Sequence, residues 1–267
     1  MGFNANATTI PGKGTVLVAP PDTAAPDYET VDPTGVLSGG WEALGHTSRE
    51  NNVSLSKGGG DATQRGSWWD DALRSTYDPI TWSINVNSIQ IDRLTLSLAF
   101  GDGTHNGTNG SYDVGGSITP QKKALFILIV DGSSRMGIYI PNTTVTIGDA
   151  PQLAVDSFFE ITLTAQMLNS PTTGNRFRFL HPGLITVAPT LTSALPSGQG
   201  TGQVVNVVGT GFVGVTGVTV GGTAASFTVT DTKHLDITLP AGSSGSAPIV
   251  VTTINGASSA LAYTRAA

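Results

Sequence analysis

From Gln203 to Thr264 the chain repeats one pattern: a run of four to six residues, most of them rich in Val, Ile and Thr, then a turn, in most cases carrying glycine. The runs are Gln203–Val208, Gly217–Val220, Ala225–Thr230, His234–Leu239, Pro248–Thr253 and Ser259–Thr264. Gly221-Gly222, Gly242 to Gly245 and Asn255-Gly256 punctuate them. Such runs are too short for helices that bury a face, but strands at this spacing are what a small β-sandwich requires. The remainder shares the bias. Charged residues make up 12% of the 267, about half the ~25% of an average soluble protein. Gly, Thr, Ser, Asn and Val fill the deficit, as in strands joined by polar turns. With 39% hydrophobic residues, the chain still has material for a packed core.

A boundary is expected near Pro182-Gly183 to Pro189, giving one domain over residues 1–187 and a second over 188–267. In the first, Thr15–Ala19, Asp78–Val86, Ala124–Val130, Met136–Ile140, Thr143–Gly148 and Ser157–Leu168 read as strands, several with period-2 alternation. Asn175–His181 reads as a closing strand, and Glu42–Ser48 with Asn52–Ser56 resembles a hairpin. The proline-rich segment from Pro20 to Pro33 is unsuited to a central strand, because proline lacks the ladder donor. Lys57-Gly58-Gly59-Gly60-Asp61 reads as a flexible glycine run, an extended arm or mobile loop. In Ile89–Phe100, Leu94, Leu96 and Leu98 alternate like a strand. Ile91, Leu94 and Leu98 before Gly101 suit a helix with a glycine stop, and a single helix is the preferred reading.

Charge and cysteine restrict the function classes. Cysteine is absent, which removes disulfides, thiolate metal sites and cysteine nucleophiles. The net charge is −6, and residues 188–267 hold two bases (Lys233, Arg265) against two acids (Asp231, Asp236). The acidic excess therefore belongs to the first domain, which argues against tight binding to a phosphate backbone. No stretch approaches the ~18 apolar residues of a membrane helix. The N-terminus shows no signal peptide, so synthesis in the cytoplasm is expected. The glycosylation-type sites at Asn6, Asn52, Asn106, Asn109 and Asn142 are then incidental.

Motifs that resemble catalytic or binding sites fail on context. Gly209-Thr210-Gly211-Phe212-Val213-Gly214 has dinucleotide-loop spacing, with Asp231 about 20 residues on. The β-rich Val215–Val220 follows instead of the helix that would meet a pyrophosphate. Asp102 to Thr108, with Asp113 at the twelfth position, approximates a calcium loop, but Thr occupies position three and no Glu closes it. His46, His105, His181 and His234 are scattered. Asp70-Asp71 are adjacent and point apart, so they make poor partners for acid/base work. No catalytic residue, cofactor site or metal site is expected, and the chain reads as a non-enzyme.

The most distinctive stretch runs from Asp61 to Arg74, where Trp68-Trp69 sit among charges just beyond the glycine run. In the simplest reading one ring packs on the domain's own core, since Trp is usually largely buried. In the sharper one the segment anchors another subunit, as Trp and Arg are enriched at interface hot spots. The contact candidates are Lys57, Asp61, Arg65, Trp68, Trp69 and Arg74.

Trp41-Glu42-Ala43-Leu44-Gly45-His46-Thr47, the Lys57–Asp61 arm, Trp68-Trp69-Asp70, Leu94–Gly101 and Gly137-Ile138-Tyr139-Ile140-Pro141-Asn142 occur in this order, with strands closing near Phe179. Over roughly residues 10–187 the chain resembles the major tail tube proteins of long-tailed, siphovirus-type bacteriophages, particularly those of actinobacteria. That resemblance implies a mainly β fold: a sandwich or half-barrel with one flanking helix and a long loop, for which Asn51–Asp71 is the candidate. It further implies hexameric rings stacked into a virion tail tube, the conduit for genome delivery, with a tape measure protein and tail terminator and tip proteins as partners. DNA would pass the lumen without specific binding, helped by an acidic bore. Residues 188–267, with Pro196, Gly209 to Phe212, Val218 to Gly222, Pro240 to Gly242 and Tyr263, resemble an IPT/TIG immunoglobulin-like domain. Such a domain implies an outward decoration with a host surface glycan as its target. The alternative is a two-domain β adhesive whose tryptophans stack on carbohydrate; it lacks a secretion signal.

Overall fold

The computed structural model describes residues 8–101, 103–132 and 134–266. Asn6 and Asp102, the opening residue of the calcium-like loop, lie outside them. The chain divides into two compact units. One comprises Lys13–Ile129 and Gly137–Phe179; the other is built chiefly from Leu180–Ala267 and includes Val130–Met136.

The elements up to Leu180 are β1 (Lys13–Ala19), β2 (Glu42–Ala43), β3 (Ser54–Gly58), β4 (Ala62–Arg65), β5 (Arg74–Tyr77), β6 (Thr81–Ser88), α1 (Arg93–Phe100), β7 (Thr104–Asn106), β8 (Ser111–Asp113), β9 (Gln121–Asp131), β10 (Ser134–Ile147), β11 (Ile161–Met167) and β12 (Arg178–Leu180). An eight-stranded sheet runs β2-β1-β9-β10-β11-β6-β3, with β12 also pairing β10. Its two halves differ in burial. In β1 and β9, Val16–Ala19 and Ala124–Leu128 are buried without alternation, because both faces are covered. Trp41 stands edge-on to Phe126 (centroids 6.1 Å apart) and to Tyr139 (6.3 Å). Its Nε1 donates to Ala24 O at 2.9 Å, and Tyr139 Oη donates to Thr23 O at 2.7 Å. The proline-rich segment thus serves as a cover rather than a strand. In β6 and β11 burial alternates: Ile84, Val86, Ile161, Leu163, Ala165 and Met167 face the core.

Three sequence expectations need correction. Glu42–Ser48 and Asn52–Ser56 do not form a hairpin: Glu42 and Ala43 pair with β1, whereas β3 pairs with β6. Gly45 turns the chain at φ 84°, a left-handed conformation that residues with a Cβ adopt only with strain. Met136–Ile140 and Thr143–Gly148 are not separate strands but parts of the single β10. Pro141 lies within it just before pairing with β11 begins at Thr143. The helix starts at Arg93 rather than Ile89, since Ile89 N still donates to His46 O. Asp92 caps it, accepting from Thr95 N at 2.9 Å. Gly101, at φ 79°, ends it by donating to Ser97 O. Thr95, Leu98 and Ala99 form its buried face.

The second unit is a small sandwich. Its strands are β13 (Thr190–Leu195), β14 (Val204–Thr210), β15 (Val215–Val220), β16 (Thr223–Ala224), β17 (Ser226–Val229), β18 (His234–Thr238), β19 (Gly245–Ser246), β20 (Ile249–Thr253), β21 (Gly256–Ala257) and β22 (Thr264–Arg265). The sheets are β13-β14-β18-β17 and β16-β15-β20-β21, with β19-β22 as a short separate ladder. Alternating residues meet in one core of Val205, Val207, Phe212, Val218, Leu235, Ile237, Ile249, Val251 and Tyr263. The expected strand Ser259–Thr264 reduces to a bridge at Leu261 followed by β22. Gly209 sits where a Cβ would meet Thr190 O at 2.1 Å. The Gly209–Gly214 stretch is therefore a tight connection into a strand, not a phosphate loop.

Candidate assembly interface

The six contact candidates lie along one projecting hairpin. β3 pairs β6 from Ser54↔Asn85 to Gly58↔Thr81, and β4 pairs β5 from Ala62↔Tyr77 to Arg65↔Arg74. Gly60 N donates to Asp78 O (3.1 Å) and Asp78 N to Asp61 O (3.2 Å), joining the two ladders. The glycine run is thus not a loose loop but a hydrogen-bonded kink. Gly59 and Gly60 adopt φ 69° and 79°, and a Cβ at Gly59 would lie 2.3 Å from Pro79 O. The arm extends beyond Asn51–Asp71, because its return strand reaches Tyr77. Its root is held by Arg176, whose Nη1 donates to Ile80 O at 2.8 Å, and by Trp82 edge-on to Phe177.

Lys57 sits near the root, Asp61 at the kink, and Arg65 and Arg74 directly across the stem from each other. Like charges in facing positions disfavour the isolated hairpin. At the tip, Ser67 N donates to Asp70 O, and Ser67 Oγ accepts from Trp69 N (3.3 Å) and Asp70 N (3.1 Å). Asp70 Oδ1 accepts from Ala72 N at 2.9 Å. Asp70 is therefore a turn-builder, and the Asp70-Asp71 pair makes no acid/base couple. This turn holds Trp68 at 104% and Trp69 at 99% exposure. The reading in which one indole packs on its own core is overturned: a tight turn at the end of a two-stranded stem has no core within reach.

Sequence reasoning passed over a second apolar feature. In the loop between β10 and β11, Leu153, Val155 and Phe158 are exposed. Three large apolar residues within six positions, with no period to bury them, were the available signal.

No group of three His, Cys, Asp or Glu is placed to hold a metal among the described residues. His181 bridges Thr9 Oγ1 (2.9 Å) and Gly183 N (2.9 Å), and His234 Nδ1 meets Asp231. Burial pushes the pKa of the Tyr139 phenol up, with the Asp22 carboxylate adding to the shift and Arg178 opposing it. Its phenol is a structural donor. No helix among the described residues is long and apolar enough to cross a membrane.

The fold defines a mainly β protein that holds two exposed indoles out on an ordered arm. Comparison with known proteins gives it a family. The phage tail tube protein family matches residues 1–191, and the IPT/TIG domain family matches residues 189–264. The chain belongs to the phage tail tube protein family. It is 33% identical over 165 residues to the major tail protein Gp23 of Mycobacterium phage D29, covering 58% of this chain and 82% of that one. The Gp23 of Mycobacterium phage L5 is 32% identical with the same coverage. Among solved structures, an SGBP-B from a xyloglucan utilization locus of Bacteroides uniformis aligns at 15% identity and TM-score 0.29. It covers 49% of this chain and 45% of that one, a likeness that carries no argument. The protein is thus a structural component of a virion tail, associating with its own copies in the tail tube.

Proposed function

We propose that residues 1–187 form hexameric rings that stack into the tube through which a phage genome leaves its capsid. The fully exposed indole pair at the tip of an ordered arm carries this reading. Each indole offers on the order of 200 Å², and at about 25 cal/mol per Å² burial against a neighbour stabilises by several kcal/mol per subunit. Lys57, Asp61, Arg65, Trp68, Trp69 and Arg74 supply the contact between successive rings. Leu153, Val155 and Phe158 add apolar area within a ring. A tape measure protein inside, with terminator and tip proteins at the ends, completes the assembly. DNA passes without specific binding.

Residues 188–267 form a domain displayed on the exterior, with a surface glycan of the host as its partner. Its balanced charge and independent core support a unit that adds no assembly contact. Electron microscopy of the purified full chain tests the reading: six-fold rings or tubes are expected. A protein that stays monomeric at high concentration, even with its tail partners, would overturn it.

A further inference from the structure

The chain holds three Asn-Gly pairs: Asn106-Gly107, Asn109-Gly110 and Asn255-Gly256. At such a pair the main chain can attack its own side chain, because glycine has no Cβ to shield its nitrogen and has free dihedrals. The first two pairs lie at the turn of the β7–β8 hairpin, whose ladder runs from Thr104↔Asp113 to Asn106↔Ser111. The hairpin is fixed at its root. Tyr112 Oη donates to Gly101 O at 2.5 Å and accepts from Gly103 N at 3.0 Å. Its outer end, Thr104–Gly110, is exposed throughout. The three pairs differ in what surrounds the attacking nitrogen. Gly107 N makes no hydrogen bond among the described residues. The His105 ring lies beside it: its Cε1 would be 3.5 Å from a Cβ at Gly107. A turn of that exposed side chain brings an imidazole nitrogen to the Gly107 N–H. Asn106 Oδ1 already accepts from Thr108 N at 3.0 Å, so charge developing on that oxygen has a donor. Asn109 Oδ1 has a similar donor in Ser111 N at 3.1 Å. However, Gly110 N is committed to Asn106 O at 3.0 Å, and nothing lies within 4 Å of where its Cβ would be. The third pair is tied down. Asn255 Nδ2 donates to Ile185 O at 2.8 Å, and Gly256 pairs with Thr253 in the β20–β21 ladder.

We infer that Asn106 is a self-modification site, deamidating through a cyclic imide with His105 as the general base. The inference stands apart from the tube reading. The neutral imidazole takes the proton from Gly107 N as that nitrogen forms a bond to Asn106 Cγ. Thr108 N–H holds the oxyanion of the tetrahedral intermediate. The Cγ–Nδ2 bond then breaks, and the imidazolium returns its proton to the departing amine, which leaves as ammonia. Water next opens the five-membered imide at one of its two carbonyls. Cleavage of the bond from Gly107 N to Cγ leaves aspartate. Cleavage of its bond to the main-chain carbonyl carbon leaves isoaspartate, with one more methylene in the main chain. No oxidation or reduction occurs, and water is the sole co-reactant. Either product takes the net charge one unit below −6. In isoaspartate the carbonyl that accepts from Gly110 N becomes part of a free carboxylate, so the turn loses its closing geometry.

The test follows the full chain in warm neutral buffer. Samples taken over days are digested and sequenced by mass spectrometry, which reads amide-to-acid conversion at each asparagine. Labelling with an isoaspartyl methyltransferase marks the rearranged product. Asn106 should convert at least ten-fold faster than Asn109 or Asn255; equal or inverted rates would overturn the inference. In urea that unfolds the chain, the preference over Asn109 should shrink below about three-fold, since both asparagines precede glycine. A preference kept whole in urea would remove the fold from the account and overturn it equally. His105→Ala, a change at an exposed side chain, should slow conversion of Asn106 at least three-fold and leave Asn109 unchanged. Free imidazole in the buffer should restore the lost rate. An undiminished rate at Asn106 in that variant would overturn the role of His105.

Discussion

Trp68 and Trp69 hold no contact that the fold of one subunit needs, so removing them separates folding from assembly. Trp68→Ala with Trp69→Ala should leave the melting temperature within about 1 °C, as expected of substitutions away from core, cap or buried charge. The concentration needed for tube formation, followed by light scattering, should rise ten-fold or more. Gly137 has the opposite character. A Cβ there would lie 2.6 Å from Phe126 Cζ and 3.1 Å from Tyr28 Cβ, inside the aromatic cluster that closes the core. Gly137→Ala should cost about 1–3 kcal/mol through overpacking, read by denaturant unfolding, with any surviving folded protein still competent to assemble. The sequence marked only the tryptophans in their own right; Gly137 entered only within the family resemblance. Trp-Trp among charges is visible anywhere, whereas the need for glycine at 137 depends on a ring from β9 that no local pattern reveals.

The arm is an element whose pairing closes on itself, so it can be shortened without unravelling the sheet. Replacing Asp61–Asp78 by Asn-Gly keeps β3 and β6 joined by a turn suited to a two-residue hairpin. The variant should fold and form no stacked tubes in micrographs; tubes of ordinary length would remove the arm from the ring-to-ring contact. Elements whose signals are local were legible in the sequence. The alternation in β6, β11, β14 and β18 and the Gly101 stop of α1 follow from residues a few positions apart. The partners of β2 and β3 were not legible, because each pairs with a strand chosen by the whole sheet. The continuous β10 was hidden by Pro141, which marks a strand end only where a ladder donor is required.

At the scale of the molecule, two units with separate cores divide the work. Ending the chain before residue 188 should leave tube formation unchanged by electron microscopy and narrow the outer profile of the tube. Loss of tubes on truncation would instead make the immunoglobulin-like domain part of the interface. The kink at Gly59-Gly60 carries a further consequence if successive rings meet through the arms. Gly59 and Gly60, hydrogen-bonded to the returning Asp78–Ile80 segment, then stand between each ring and its anchor on the next, repeated around every joint. The resistance of each joint to bending would depend on that two-stranded kink, and a tail could curve without any subunit changing its core.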